Sequence, residues 1–313
     1  MRGALDALPD ASRRAPLLVG CSGGADSLAL TFAAATVRGA DGVRAVVVDH
    51  QLQEGSGARA AATVALLAER GISASVEPVD VTGTGGIEAA ARRARRAVLE
   101  AARPHPDSPI LLGHTLDDQA ETVLLGLGRG SGARSIAGMR SWDPPWLRPL
   151  LSVRRSVTRA ACAELDVPVW DDPHNVDPRF TRVRLRHEVL PLLEDVLSGG
   201  VAEALARTAA QLREDADALD AVAADLLVEA LRPAPELDLA TLADAPSALR
   251  RRVLRLWLAA AGVTGLTDAH LRAADVLAAR GPDRAGVAVP GGLELVRAHG
   301  RLGIRPVRWP SAR

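Results

Sequence analysis

The sequence predicts an α/β fold with a doubly wound, mainly parallel sheet, followed by a mostly helical C-terminal domain. Short β-rich runs alternate with alanine-rich helical stretches through the first 150 residues. Two of the predicted strands are continuous apolar runs, which suits strands that are buried on both faces of a parallel sheet. Leucine and alanine recur at helical spacing beyond residue 200. We therefore expect an α/β domain over residues 1–198 and a second domain over residues 199–313.

The predicted elements of the first domain alternate between strand and helix. The strands span 15–21, 43–50, 73–80 and 108–115, and the helices span 26–38, 57–70, 87–103 and 117–127. A Pro-rich connector at 141–150 should not be helical, a helix follows at 153–165, and 167–180 has the turn signals of a loop. Ligands of such open sheets bind beyond the carboxyl ends of the strands. The polar residues that follow these strands are therefore the candidates for a site.

The second domain is expected to begin after Gly199 and Gly200 with one long amphipathic helix. Its apolar stripe, which we assign to core packing, consists of Leu205, Ala209, Leu212, Ala216, Leu219, Ala223 and Leu226. A helix at 246–262 should pair with it, and 288–306 alternates like a small hairpin. Residues 201–245 hold three Arg and ten acidic residues, whereas 246–313 hold twelve Arg and four. This asymmetry indicates either a nucleic-acid face or a pair of complementary helices.

The composition excludes several classes of site. All 38 basic residues are arginine, so the chain has no Walker-A, Schiff-base or general-base lysine. With only Cys21 and Cys162, it has no disulfide framework, no C-x-x-C redox motif and no four-cysteine metal site. It also has no signal-peptide core and no apolar run of membrane-spanning length. We expect a cytoplasmic protein that binds no membrane.

The stretch CSGGADS, at 21–27, lies between the first predicted strand and a helix. Such a turn is a natural anion site, because the helix N-terminus presents unpaired N–H groups and a partial positive charge. Gly23 and Gly24 let the backbone approach a phosphate, and Ser22 and Ser27 can donate hydrogen bonds. Asp26 would repel a bare phosphate, so it suggests Mg²⁺ or a ribose hydroxyl. The alternatives are a phosphate site or a capped turn, with Cys21 packed beneath it.

The motif S-G-G-x-D-S after a first parallel strand resembles the PP-loop of the ATP-pyrophosphatase superfamily, whose members adenylate a substrate and release pyrophosphate. GMP synthetases, NAD synthetases and thiouridylases share this loop. A second block, at 113–132, contains the motif H-x-x-D-D-x-x-E-T, which is similar to the second signature of tRNA-modifying PP-loop enzymes. Its residues are His114, Asp117, Asp118, Glu121 and Thr122. Each acid alone could have only a structural role, because a carboxylate near the start of a helix interacts favourably with the helix dipole.

A third block, at 171–194, resembles the tRNA(Ile)-lysidine synthetase family. It matches the family pattern at Asn175, Asp177, Phe180, Arg182, Arg184, Arg186, Leu190 and Pro191. The segments 48–53, 88–96, 129–132 and 148–151 match as well, so the resemblance covers roughly residues 16–194. The chain departs from the family at Gln51 and Gln53, where a Gly and an Arg are usual, and at Val183, where an Asn is usual.

This resemblance implies a reaction in two steps. The C2 carbonyl of the wobble cytidine, in a tRNA(Ile) with a CAU anticodon, first attacks the α-phosphate of ATP and releases pyrophosphate. The ε-amine of free L-lysine then attacks C2 and displaces AMP, which gives lysidine. Such chemistry needs a pyrophosphate clamp, cations for the developing negative charge, and a site for a neutral lysine amine.

The resemblance also implies roles for individual residues. ATP would be bound by Ser22, Gly23, Gly24, Ala25, Asp26, Ser27, Asp49 and His114, and Asp26 with Asp118 would hold Mg²⁺. Arg182 and Arg184 would stabilise phosphate or the intermediate, or else form a solvated basic face. The tRNA and lysine would be bound by Asp117, Glu121, Arg129, Asn175, Asp177 and Arg186. Asp117, Glu121 and Asp177 are equal candidates for the amines of lysine.

The wobble base must leave its stack to react, and it then needs a stacking partner. Trp142, Trp146, Trp170 and arginine planes are the candidates, although each Trp could equally belong to the core. The arginine-rich segments 92–96 and 250–255 could follow tRNA phosphates.

Two other functions share part of these features. A PP-loop tRNA thiolase of the 2-thiocytidine type would have the same loop and acid motif, but it needs cysteines for sulfur transfer or a cluster. A non-enzymatic nucleotide sensor would explain the loop but neither the acids nor the arginines. The sequence leaves the oligomeric state open, with a dimer as one option.

Overall fold

The computed structural model describes residues 1–51, 53–81, 86–130, 132–231, 235–283 and 285–307. Leu52 and Ser131, which belong to matched segments, lie outside these described residues. The chain divides into two compact units, Met1–Ala210 and Gln211–Arg313. The boundary expected at residue 199 lies before this division and stays a prediction.

The first unit contains a mainly parallel sheet. Its strands are β1 (Leu17–Gly20), β2 (Val43–Asp49), β3 (Ser73–Pro78), β4 (Ile110–Leu112), β5 (Trp142–Asp143) and β6 (Trp146–Leu147). The six strands lie in the order β3-β2-β1-β4-β6-β5, and only the pairing of β5 with β6 is antiparallel. The predicted α/β class and all four predicted strands are confirmed. The connector at 141–150 is non-helical as predicted, and it also supplies β5 and β6.

The helices of the first unit follow the predicted alternation. They are α1 (Arg2–Asp6), α2 (Asp10–Arg14), α3 (Ala25–Arg38), α4 (Ser56–Glu69), α5 (Ile87–Ala101), α6 (Leu116–Gly128), α7 (Ala133–Ile136), α8 (Arg155–Glu164), α9 (Thr181–Arg184) and α10 (Leu190–Val196). A π-helical turn, Leu185–Val189, joins α9 to α10. The predicted loop at 167–180 contains one 3₁₀ turn, Pro173–Val176. Helices α3 to α6 and α8 agree with the predicted spans within a few residues.

Both faces of the sheet are buried, as the apolar runs predict. Alternate side chains of a strand point to opposite faces: Leu17 and Val19 pack in one cluster, whereas Leu18 packs with Trp146 in another. Cys21 and Cys162 are free thiols buried in the first of these clusters. The prediction that Cys21 packs under the loop is confirmed.

The second unit combines helices with a small antiparallel sheet. It begins within α11 (Val201–Ala230) and continues through β7 (Leu237–Asp238), α12 (Leu239–Leu242), α13 (Ser247–Ala260), α14 (Asp268–Arg280), β8 (Gly286–Val289), β9 (Leu293–Ala298) and β10 (Arg301–Pro306). The four strands lie in the order β7-β10-β9-β8. The hairpin expected at 288–306 is confirmed as β9 and β10, and two further strands extend it. No helix of the described ranges is long and apolar enough to cross a membrane.

Helix α13 packs on α11, as predicted for the helix at 246–262. Ala223 of α11 shares a core with Val253 and Leu254 of α13, and Arg252 Nη1 lies 3.0 Å from Asp220 Oδ1. In the predicted apolar stripe of α11 the alanines are buried, whereas Leu219 is 37% exposed. Complementary helices therefore account for at least part of the charge asymmetry.

Candidate active site

The CSGGADS stretch forms a tight loop between β1 and α3. Gly23 has φ +81°, and a Cβ at this position would lie 2.7 Å from Thr63 Oγ1, so the position requires glycine. Ser27 Oγ accepts a hydrogen bond from Ser22 N at 3.0 Å and donates one to Gly24 O at 2.9 Å. These bonds fix the loop from inside. The first turn of α3 meanwhile directs backbone N–H groups without intrahelical acceptors beyond the strand end.

A cavity of about 640 Å³, which we call the loop cavity, opens at this loop. Six chain segments besides the loop reach it: α5, the end of β4, the first turn of α6, helix α8, the segment 170–176 and the π-helical turn. Its lining includes Ser22, Gly24, Ala25, Asp26, Ser27, His114, Asp118, Arg155, Arg159, Trp170, Asn175 and Arg186. The carboxyl ends of β1 and β4 thus meet at one cavity, as the fold class predicts. Its volume lies in the range of nucleotide-sized ligand sites.

Arg155, at the start of α8, joins three of the acids. Its guanidinium lies 2.6 Å from Asp118 Oδ1, 3.3 Å from Asp26 Oδ2 and 3.7 Å from Glu121 Oε1. Thr158, one helical turn later, donates its hydroxyl hydrogen bond to Asp26. The two carboxylates expected to hold Mg²⁺ therefore lie close enough to share one cation.

Asp118 is held in its ionised form. Burial alone would raise the pKa of Asp118, but Arg155 and the hydrogen bonds from Thr115 lower it below its usual value. Thr115 N donates to Asp118 Oδ2 at 2.8 Å, and Asp118 N donates to Thr115 Oγ1 at 3.4 Å. This capping box begins α6 and directs the second carboxylate oxygen toward Arg155.

Glu121 lies behind Asp118 and is fully buried among arginines. Arg186 Nε donates to Glu121 Oε1 at 2.8 Å, and Arg182 Nη1 lies 3.8 Å from Glu121 Oε2. Arg184 points elsewhere, because it pairs with Glu188 at 2.8 Å and its side chain is 61% exposed. Of the three alternating arginines, Arg182 and Arg186 reach the acid block and Arg184 does not.

Asp117 faces a separate small cavity of about 190 Å³, which we call the acid cavity. Its lining includes Asp117, Glu121, Arg154, Arg155, Arg186 and Glu194. Asp117 Oδ2 accepts from Arg155 N at 2.7 Å, and Asp117 Oδ1 lies 3.4 Å from Arg154 Nη1. Arg155 and Arg186 line both the loop cavity and the acid cavity, so these two side chains stand between them.

Asp49 and His50 lie in a further cavity of about 280 Å³, which we call the side cavity. Asp49 is buried and its Oδ1 accepts from Gln51 N at 3.0 Å. Trp170 lines both the side cavity and the loop cavity, and the Arg59 guanidinium lies 4.7 Å from its ring centroid. Trp170 is thus an aromatic platform at the site, whereas Trp146 is buried in the core.

Three of the predicted site residues are less central. Asn175 lines the loop cavity, but Asp177 does not, and it pairs with Arg179 at 2.6 Å. Arg129 follows the last turn of α6 at an exposed position outside the lining of the loop cavity. The structure therefore brings together the phosphate loop, His114, Asp118, Asn175 and Arg186, and leaves Arg129, Asp177 and Arg184 outside this cavity.

Helix α8 contributes residues that the sequence reasoning missed. Arg155, Thr158 and Arg159 all reach the loop cavity or Asp26. Their spacing of three and four residues places them on one helix face. This polar face at the start of α8 is the sequence feature that could have identified them as site residues. Arg95 of α5 also lines the loop cavity.

The donor set at Asp26 and Asp118 suits magnesium. Carboxylate oxygens are hard donors, and Mg²⁺ is commonly held by one or two of them together with substrate phosphates. No group of three or more His, Cys, Asp or Glu side chains is arranged to hold a metal within the residues that the structure describes. The chemistry of the two acids therefore fits a magnesium ion that is also coordinated by nucleotide phosphates.

Comparisons with known proteins agree with this architecture. A PP-loop domain model matches residues 3–193, and a TilS substrate-binding domain model matches residues 237–303. The PP-loop match implies the use of ATP. The fold also resembles the U34-tRNA thiolase NcsA from Methanococcus maripaludis, with a TM-score of 0.52, 18% identity, and coverage of 68% of this chain and 77% of that one. That likeness concerns the fold alone.

Sequence relatives give a closer match. The chain is 58% identical to the tRNA(Ile)-lysidine synthase of Rhodococcus erythropolis over 92% of its own length and 89% of the relative's. It is also 58% identical to the tRNA(Ile)-lysidine synthase of Mycobacterium tuberculosis, over 87% of this chain and 83% of that one. Both the phosphate loop with its acid block and the sequence identity lead to one conclusion: the chain belongs to the tRNA(Ile)-lysidine synthase family.

Proposed function

We propose that the protein joins free L-lysine to C2 of the wobble cytidine in a tRNA(Ile) with a CAU anticodon, and consumes ATP to give lysidine, AMP and pyrophosphate. The observation that carries this proposal is the loop cavity, a nucleotide-sized space whose lining brings together the SGGADS turn, Asp118 and Arg155. Adenylation of the base makes its C2 oxygen a leaving group. Adenylation of the base and attack by lysine therefore both take place at this one cavity.

The phosphate loop supplies the clamp for the pyrophosphate portion of ATP. The Ser27 hydroxyl is used inside the loop, where it holds Ser22 and Gly24 in place. Backbone N–H groups at the start of α3 and the Ser22 hydroxyl can then donate to phosphate oxygens from a loop that is already fixed. Arg155, Arg159 and Arg186 line the same cavity. Their guanidinium groups can stabilise the negative charge that develops during transfer.

Asp26 and Asp118 are the residues that would hold Mg²⁺. When bound, the ion would neutralise phosphate charge and make pyrophosphate a better leaving group. Both carboxylates already interact with Arg155, and Thr158 orients Asp26. These contacts keep both acids facing the cavity before the nucleotide arrives.

The acid cavity is suited to the amines of lysine. Asp117, Glu121 and Glu194 offer carboxylates, while Arg154, Arg155 and Arg186 lie beside them. The guanidinium groups lower the pKa of a nearby amine, which favours the neutral form that attacks C2, whereas the carboxylates hold an amine in its ammonium form. Arg155 and Arg186 line both this cavity and the loop cavity, so lysine bound here would pass these two side chains to reach the adenylated base.

The rival function of a thiolase has less support. Sulfur transfer needs an accessible and ionisable thiol, whereas Cys21 and Cys162 are both buried. Burial also raises the pKa of the Cys162 thiol. A nucleotide sensor without catalysis would not need the acids joined by Arg155.

The decisive experiment incubates the purified protein with ATP, radiolabelled lysine and a tRNA(Ile) transcript that bears the CAU anticodon. We expect lysine incorporation together with equal amounts of AMP. The matched control is the same transcript with its wobble cytidine changed to uridine, which should accept no lysine. Turnover of ATP without transfer of lysine to the CAU transcript would contradict the proposed function.

A further inference from the structure

A fourth cavity, of about 220 Å³, lies beside the loop cavity and is lined by basic groups. We call it the arginine cavity. Its polar lining consists of His50, Arg92, Arg95, Arg96, His114 and Arg148. It shares Arg95 and His114 with the loop cavity, and His50 and Arg95 with the side cavity. The three spaces therefore adjoin at Arg95.

Several polar atoms of the arginine cavity are buried without a hydrogen-bond partner. They are His50 Nδ1, His114 Nδ1 and Arg148 Nε. Arg148 is only 6% exposed, and its side chain donates from Nη1 to the carbonyl of Arg140 at 2.8 Å. Buried polar groups are nearly always paired in proteins, because an unpaired one keeps its full desolvation cost. Three such atoms around one cavity form a polar lining with which a bound ligand or ordered water can pair.

Three of the four arginines of the cavity have no ion pair within the described part of the chain. No carboxylate there lies within salt-bridge distance of Arg95, Arg96 or Arg148. Asp143 favours the charged form of Arg148 through space, but burial and the neighbouring Arg92 and Arg96 together lower the pKa of Arg148. Burial and Arg92 likewise lower the pKa of Arg95. Arginines that depress one another's pKa mark a region of positive potential.

The remaining walls orient the arginines and limit the size of a ligand. Leu99, Leu112 and Trp146 form the apolar part of the lining, and the Arg96 guanidinium lies 4.5 Å from the centroid of the Trp146 ring. Stacking on an indole fixes the plane of the guanidinium and leaves its edge free for an oxyanion. The space is about one-third of the loop cavity, so it suits a phosphate group rather than a second nucleotide.

We propose that the arginine cavity is a second anion site that binds a phosphate group beside the phosphate loop, with Arg96 and Arg148 as its ligands. Under the proposed function, on which this source of ligand rests, the phosphate comes either from the released pyrophosphate or from a phosphodiester next to the wobble base. A cationic site at this place draws the anion away from the adenylated base. Departure of pyrophosphate then becomes harder to reverse.

The test measures anion binding directly, with the phosphate loop occupied. Inorganic pyrophosphate is titrated calorimetrically into the full chain in the presence of Mg²⁺ and a saturating non-hydrolysable ATP analogue. We expect one remaining pyrophosphate site, weakened about tenfold or more in Arg148→Gln and in Arg96→Gln. The matched control is Arg103→Gln, which removes the same charge two residues after α5 and lies outside the lining of the arginine cavity. Because Arg96 and Arg148 do not line the loop cavity, the KM for ATP should not change.

A second arm separates the two sources of phosphate. It measures the affinity of an anticodon stem-loop RNA as a function of salt for the same variants. If the phosphodiester is the ligand, both variants weaken the RNA and reduce its salt dependence by about one phosphate contact, while pyrophosphate binding stays as in the wild type. Binding of both anions that is unchanged in both variants overturns the proposal, whatever the outcome of the lysine-transfer assay. Loss of lysine transfer with normal anion binding would instead count against the proposed function alone.

Discussion

Arg155 Nη2 lies 2.6 Å from Asp118 Oδ1, and this contact links the acid block of α6 to the phosphate loop through one guanidinium. The Arg155 and Asp118 side chains are only 19% and 15% exposed. We expect Arg155→Met to leave Asp26, Asp118 and Glu121 close together without their shared cation. The free energy of unfolding should then fall by about 2–4 kcal/mol, as measured by urea denaturation.

Arg159→Met is the matched control for this loss. Arg159 lies on the same helix, but its ion pair with Asp171 is more than half exposed on both sides. Exposed pairs contribute about 0–1 kcal/mol. Equal destabilisation by the two variants would show that Arg155 is not the shared counter-ion.

Asp26→Asn tests the assignment of the metal-binding acid. The amide keeps the size of the side chain but removes the charge that a phosphate-bound cation requires. We expect AMP formation and pyrophosphate release to fall by roughly a hundredfold or more, while unfolding by urea changes far less. Asp41→Asn, at an exposed position after α3, serves as the control. Pyrophosphate release at the wild-type rate would refute the role of Asp26.

Gly113→Ala tests whether the phosphate loop depends on its contact with β4. A Cβ at Gly113 would lie 3.0 Å from the carbonyl carbon and oxygen of Asp26 and 3.1 Å from Ser27 N. Backbone atoms cannot rotate away, so the loop itself must shift. We expect the KM for ATP to rise roughly threefold to tenfold and stability to fall by about 1–3 kcal/mol.

Gly128→Ala provides the comparison, because a Cβ there meets nothing within 4 Å and the residue is the last of α6. Alanine is the better helix former, so stability should not decrease. A rise in the KM for ATP in Gly128→Ala equal to that in Gly113→Ala would contradict the steric argument.

His114 predicts a pH dependence of stability. Burial, opposed by Asp118 and reinforced by Arg95, lowers the pKa of His114 from 6.5 to about 4. The unfolded chain therefore takes up this proton first, and stability is lost as the pH falls from about 6.5 toward 4. A shift of this size corresponds to about 3 kcal/mol. Urea denaturation across this range should show a smaller loss in His114→Gln than in the wild type, and His105→Gln, on the exposed surface, should behave like the wild type.

Sequence patterns were sufficient for the fold and for the phosphate loop. The strands β1, β2 and β4 are buried and rich in apolar residues, whereas β3 (SASVEP) is partly exposed. The spacing of apolar residues predicted α3 to α6 and the long helix α11. The strands β5, β6 and β7 have two residues each, which is too short for any period to be visible. Helix α14 follows a Thr267–His270 capping box, whose N3 residue is a histidine rather than the usual acid or amide.

The site was less predictable, because its key contacts join distant segments. Arg155 reaches Asp26 and Asp118 across 129 and 37 positions of sequence, and no local pattern contains that information. Arg182, Arg184 and Arg186 alternate with apolar residues, and this pattern alone does not show which of the three reach the site. A helix places positions two apart on opposite faces, so only the folded chain separates Arg184 from the other two.

The π-helical turn at Leu185–Val189 lies between Arg182 and the core residue Leu190, so a change in its length would rotate one relative to the other. Such a turn is equivalent to one residue inserted into an α-helix. Deleting one residue there would restore a regular helix and rotate the preceding segment by about 100° about the axis. Arg182 would then turn away from Glu121, although α10 could keep Leu190 in its core. A deletion that the fold tolerates would thus separate Arg182 from the acid block while the rest of the segment keeps its packing.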